Sequence, residues 1–247
     1  MLRKLLAIAG VDFTPISHAE RWISISGAFV GIFFVYLCSS YFLHGQNVPL
    51  VVASMGASAV LLFAVPHGAL SQPWALVGGQ LISALIGVTC NELIPQALIA
   101  VPLAVALAVG AMHYLRCIHP PGGATALVAA MGGADMHALG YGFVLEPVLL
   151  NVVIILIVAV VFSWMIPWRR YPAYLSEDKV ETPSEVITAY PAISHEDFLY
   201  ALKQIDSFID VNEHDLMRIY QLATKHHTLG AELASTSRKK TRLFIST

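Results

Sequence analysis

The sequence predicts an all-α membrane protein made of two pseudo-symmetric repeats, read as inverted, followed by a C-terminal cytoplasmic helical hairpin. Each repeat is a long helix, a short Gly-Ala-Ser/Thr helix and a second long helix. Three observations predict this. Of 247 residues, 57% are apolar and 12% charged, with a mean hydropathy of +0.69, which is too apolar for a soluble domain of this size. Several apolar runs reach the ~20 residues that cross ~30 Å of hydrocarbon. Finally, the motif HPPGGATA, His119 to Ala126, is echoed by MGASAV, Met55 to Val60, so that Gly56-Ala57-Ser58-Ala59 aligns with Gly123-Ala124-Thr125-Ala126 at an offset of 67 residues.

Residues 1–21 hold Arg3 and Lys4, but Asp12, Pro15, His18 and Glu20 come before any long apolar run. That is not the layout of a cleaved signal peptide, and the segment is expected to be a cytoplasmic lead-in. The membrane domain then covers 22–170, with repeats at about 22–93 and 95–167. Its long apolar runs are Trp22–Leu43, Pro73–Leu93, Pro95–Leu115 and Tyr141–Ile166. The short segments Met55–Val65 and Gly122–Met131 are expected as half-helices, or as short spans preceded by extended chain at Asn47–Ser54 and Cys117–Pro121.

Arg21, Arg116 and Arg169-Arg170 fall on one side whether or not the short segments cross, so the positive-inside rule allows four spans or six. The repeat favours six. Three crossings per unit invert the second copy, with both termini in the cytoplasm, whereas two would leave the copies parallel. In the inverted arrangement the N-termini of the two short helices approach each other near the midplane.

Charge is segregated along the chain. Residues 1–170 hold six basic and five acidic side chains, and 171–247 hold eight and eleven. A polar linker therefore occupies 171–192. In the helical hairpin at 193–228, Ser194-His195-Glu196-Asp197 and Asn212-Glu213-His214-Asp215 each supply an N-cap and early acids before an apolar stripe. The hairpin and the membrane unit each offer a face for self-association. The basic tail at 229–247 ends the chain. Cys38, Cys90 and Cys117 are odd in number and lie in or beside apolar runs, so no disulfide framework is expected.

A helix N-terminus presents unpaired N–H groups and the positive end of the macrodipole, which together attract an anion without any formal charge. Gly122 and Gly123 would let a ligand approach the backbone, and Ser54, Gly56, Ser58 and Thr125 would frame it. Gln80 and Asn151 lie in the third helix of each repeat, 71 residues apart, and would line the site or bridge helices as polar glue. His119 would donate to the anion, carry a coupled proton, or satisfy a backbone carbonyl. Ser58 and Thr125 have the alternative of bonding back to their own helices. Gly79, Ser83 and Gly87, spaced by four, are assigned to helix packing.

The competing explanation of the echo is that small residues only allow close helix contact. The competing function is a non-transporting membrane scaffold or sensor whose hairpin binds a protein. Cys117, His119 and His113 match no metal-ligand spacing, so neither metal nor cofactor is expected. The sequence has no Walker loop, Gly-x-Ser-x-Gly elbow or paired acidic motif, which argues against an enzyme. A net charge of −2 argues against nucleic acid as a partner. The expected partners are the lipid bilayer and a small inorganic anion.

HPPGGATAL, GASAVLLFAVPH and the QPW of Gln72-Pro73-Trp74 resemble the HPP family of small integral membrane proteins, over roughly Trp22 to Pro167. The resemblance implies transport of nitrite or a similar small oxyanion, the activity associated with chloroplast and cyanobacterial members. Relatives often read Ser-Pro-Leu-Ala where this chain has Gly68-Ala69-Leu70-Ser71. The tail from Ser194 to His227 resembles an extension of bacterial relatives, which implies a bacterial inner membrane.

Overall fold

The computed structural model describes residues 17–42, 48–131, 138–166 and 168–176. The N-terminal lead-in, most of the linker, the hairpin and the basic tail lie outside them. Six helices carry the described chain: α1 His18–Phe42, α2 Val48–Ala64, α3 Pro73–Leu93, α4 Ala97–Tyr114, α5 Pro120–Met131 and α6 Leu150–Trp164. A π-helical segment at Val144–Leu149 leads into α6, and short 3-10 turns lie at Ala69–Ser71 and Ala173–Ser176. Among the described residues there is no strand. α1, α3, α4 and α6 with its π-helical lead are long and apolar enough to cross a membrane.

Local chemistry sets the helix ends. Ser17 accepts the Glu20 N–H at 3.1 Å, a cap three residues ahead of an acid in the first turn of α1. Pro73 opens α3 at a position whose N–H would have no helical partner. α4 closes with Arg116 N–H on the His113 carbonyl and Cys117 N–H on the Met112 carbonyl, with Arg116 left-handed at φ 55°. This Schellman turn sends Cys117 to His119 back into the bundle.

The short helices differ from the expectation. α2 begins at Val48, not Met55, so of the expected extended lead-in Asn47–Ser54 the residues from Val48 on are helical, and Asn47 lies outside the described residues. Pro49 sits in the first turn, where its missing N–H and fixed φ suit a helix start. α5 likewise begins at Pro120, and only Cys117 to His119 are extended. Both prolines of the motif belong to its first turn.

One end of the bundle gathers the start of α1, the C-terminus of α2, the starts of α3 and α5, and the ends of α4 and α6. Arg169 pairs with Glu20 at 2.7 Å and also donates to the Phe63 carbonyl. Trp74 donates to the Leu115 carbonyl at 3.1 Å. At the opposite end Ala130 of α5 packs with Cys90, Ala104, Ile94 and Val101. α5 therefore runs between the two ends despite its 12 residues.

α3 packs most extensively on α5. Gly79, Ser83 and Gly87 form the contact, as their spacing predicts. A Cβ on Gly87 would lie 2.6 Å from the Ala126 carbonyl oxygen, and one on Gly122 2.6 Å from that of Gly79. The main apolar core lies among α1, α2, α3 and α6, around Val35, Met55, Leu62, Leu76 and Ile155. Phe63 seats its ring against Gly27 and Gly31 of α1 and meets Phe162 edge-on at 5.8 Å.

Candidate functional site

Five side chains that hydrocarbon alone would exclude lie buried together where α2, α3 and the start of α5 meet: Ser54, Ser58, Gln80, His119 and Thr125. The Schellman turn after α4 delivers His119, and the absence of a side chain at Gly79 makes room for it. A Cβ on Gly79 would stand 2.5 Å from the His119 Cβ. The Nδ1 of His119 lies 2.9 Å from the Leu70 carbonyl oxygen, and its Nε2 lies 2.8 Å from the Ser58 hydroxyl. Gln80 Nε2 donates to the same Ser58 oxygen at 3.1 Å, and Gln80 Oε1 accepts from the Thr125 hydroxyl.

Directionality follows from the end of the chain. A carbonyl only accepts, so in the neutral ring the proton sits on Nδ1 and Nε2 presents a lone pair. The order is then Thr125 to Gln80, Gln80 to Ser58, Ser58 to His119, and His119 to Leu70. Ser58 and Thr125 also have back-bonds available to the Ser54 carbonyl at 3.3 Å and the Pro121 carbonyl at 3.5 Å. The centre holds donors and acceptors but no formally charged group.

The structure thus joins Ser58, Gln80, His119 and Thr125, with Ser54 buried one turn before Ser58 on α2 and the Gly122 N–H on the His119 carbonyl, and it leaves Gly56, Gly123 and Asn151 apart from them. Gly56 and Gly123 are half-buried, and a Cβ on either would meet nothing within 4 Å. Gly122 is a packing residue against α3. Asn151 is buried on α6, where its Oδ1 accepts from Ser39 at 2.7 Å. Its Nδ2 has no hydrogen-bond partner among the described residues.

Opposed helix N-termini are also corrected. Because α2 starts at Val48, the Gly56 and Ser58 amides lie inside the helix, and the start of α5 faces the interior of α2 rather than its N-terminus. The Leu70 carbonyl was not foreseen. Its only sequence signal is the polar pair Ser71-Gln72 beside Pro73, which marks a turn.

The pattern of the HPP transmembrane region matches residues 14–172. This chain belongs to the HPP transmembrane family. Two Dictyostelium discoideum transmembrane proteins are similar to it. One is 33% identical over 157 residues, covering 62% of this chain and 49% of the relative; the other is 34% identical over 170 residues, covering 65% and 58%. The chain spans about half the length of the first of these curated relatives and under two thirds of the second. No solved structure shows significant similarity to it.

In this HPP protein a second set of contacts closes the bundle end beneath the polar centre. Residues 171–176, expected as the start of a polar linker, fold back across it. Tyr171 is buried and donates to the Ser71 carbonyl at 2.8 Å, and the Ala173 N–H donates to Gln72 Oε1 at 3.0 Å. Ser71 in turn donates to the Leu61 and Val65 carbonyls. The strap therefore holds the 3-10 turn whose Leu70 carbonyl receives His119.

Arg169, read from the sequence only as one of the basic residues that mark the inner side, is 1% exposed. Burial pulls its guanidinium below the ordinary range, and the Glu20 carboxylate opposes that shift. Burial likewise pushes the Tyr171 phenol up, keeping it a neutral donor.

Proposed function

We propose that this chain moves a small monovalent anion, nitrite first among them, across a membrane by way of the buried Ser58–Gln80–His119–Thr125 centre. The observation that carries this is a connected polar cluster, fully buried and free of formal charge, inside a bundle four of whose helices are of membrane-crossing length. Polar groups at such depth are costly and tend to mark substrate paths. Hydroxyl, amide and imidazole donors would bind a weakly hydrated anion when it displaces their internal partners. No buried Lys or Arg sits in the centre to make release slow.

The reading includes six crossings in two inverted repeats. Its support is the alternation of helix ends: each helix starts at the end of the bundle where the previous one stopped, and α2 and α5 run in opposite senses. The pairing α1 with α2 is also mirrored by α4 with α5, and α3 with α4 by α6 with α1. Arg21, Arg116, Arg169 and Arg170 share one end with the first described residues, while Glu92 and Glu146 lie at the other. That distribution favours a cytoplasmic placement of the basic end, and hence of both termini, in a bacterial inner membrane.

One observation favours the scaffold reading. Every member of the cluster has an internal partner, so the centre is complete without a ligand. Flux decides between the two. The full chain in liposomes is expected to admit nitrite above protein-free vesicles; failure to move nitrite, nitrate, formate, chloride or bicarbonate would leave the scaffold.

A further inference from the structure

We infer that His119 Nε2 binds a proton that travels with the anion, so that the chain is a proton–anion symporter. This rests on the transport reading and adds its coupling ion. The support is a hydrogen-bond pattern that closes in both protonation states of one ring.

With the ring neutral, Nδ1–H donates to the Leu70 carbonyl and the Ser58 hydroxyl donates to the Nε2 lone pair. When a proton binds that lone pair, Nε2–H becomes the donor to Ser58 Oγ. The Ser58 hydroxyl then needs another acceptor, and the Ser54 carbonyl stands 3.3 Å away on the preceding turn. Rotation of one hydroxyl serves both states, and neither ring nitrogen loses its partner. Gln80 continues to donate to Ser58 Oγ throughout. A histidine that only braced a loop would need the Leu70 contact alone.

Charge then links the proton to the anion. The α2 face toward the ring carries Ser54 and Ser58, α3 carries Gly79, Gln80 and Ser83, and α4 presents Met112 at this level, none of them ionisable near neutrality. The titratable groups nearby are the buried Cys117 two residues before the ring, the half-buried His67 in the α2–α3 turn, and Tyr171 beyond Ser71. His119 forms no ion pair among the described residues, so an imidazolium here has no carboxylate beside it. A bound monovalent anion is the counter-charge the site lacks, and each ligand therefore raises the affinity for the other. Moved together, they carry no net charge through the hydrocarbon.

The full chain is reconstituted with a pH-sensitive dye inside the vesicles, and an inward nitrite gradient is applied. Protein-free vesicles are subtracted to remove the leak of nitrous acid. The expected result is one proton taken up per nitrite, at a rate unchanged when potassium and valinomycin clamp the voltage at either sign. Protein-dependent nitrite entry that is driven by voltage and brings no proton overturns the symport while leaving the transport reading intact. No protein-dependent entry overturns both.

His119→Gln vesicles are expected to show no protein-dependent proton uptake; one proton per nitrite in that variant assigns the proton elsewhere and overturns the inference. Should the variant fail to assemble, nitrite affinity of the parent chain decides. It is expected to weaken by up to about tenfold per unit of rising pH above the ring's titration, and an affinity independent of pH overturns the proposal.

Discussion

Nε2 of His119 and the hydroxyl of Ser58 lie 2.8 Å apart, joining residues 61 positions distant in the chain. Each comes from one copy of the Gly-Ala-Ser/Thr echo. Their contact, extended by Gln80 and Thr125, ties α2 to α3 and α5 at a buried position where an unpaired polar group is costly.

Gln80 is the hub of that contact, because its amide receives from Thr125 and gives to Ser58. Gln80→Met keeps the volume and deprives both hydroxyls of a partner. It is expected to destabilise the folded chain by about 1–3 kcal/mol, read as a lowered unfolding midpoint in detergent. A midpoint equal to the parent's would show that the hydroxyls repair themselves on their own helix carbonyls.

The two adjacent glycines of the motif should behave oppositely. Gly122→Ala drives a methyl group to 2.6 Å from the Gly79 carbonyl oxygen, a backbone atom that cannot swing aside. The expected loss is about 1–3 kcal/mol. Gly123→Ala meets open space and should be neutral or gain up to about 1 kcal/mol from helix propensity. Equal effects at both positions would contradict the packing of α3 on α5.

The long helices were legible because uninterrupted apolar runs of membrane length have few other solutions; α3 was placed at Pro73–Leu93 to the residue. The start of α2 was not. A Val-Pro-Leu-Val-Val run looks extended by local preference, yet the helix opens there with Pro49 in its first turn. The repeated motif singled out Ser58, His119 and Thr125, and polarity singled out Gln80, but their partners depend on how the helices rotate about their axes. Asn151 shows the limit: by position it matched Gln80, and in the bundle it turns to Ser39. The strap was illegible because Arg169 and Tyr171 beside a charged tail look like a solvated boundary, and only the folded chain buries them.

Glu20 balances the buried guanidinium of Arg169 at 2.7 Å, with the carboxylate side chain 31% exposed. Glu20→Ala leaves a desolvated cation without its counter-charge. Allowing for the solvent that reaches Glu20, the expected loss is about 1–3 kcal/mol, and the double variant Glu20→Ala with Arg169→Met should recover part of it. A double variant less stable than Glu20→Ala alone would show that the contact of Arg169 with the Phe63 carbonyl matters more than its charge pair.

Arg116 occupies a left-handed position at φ 55° that glycine adopts without strain. Arg116→Gly is expected to stabilise the α4 end by about 1 kcal/mol, measured as a raised unfolding midpoint. A lowered midpoint would give the exposed arginine a stabilising contact that outweighs the strain.

The most direct test of the buried centre as the anion path is stopped-flow nitrite entry into vesicles holding equal amounts of inserted parent, Ser58→Ala or Thr125→Val protein. Each variant removes one hydroxyl with little change of volume. Nitrite entry is expected to fall about tenfold or more, the loss that one hydrogen bond of about 1.4 kcal/mol implies. Both variants admitting nitrite at the parent rate would contradict the account and reduce the cluster to helix packing.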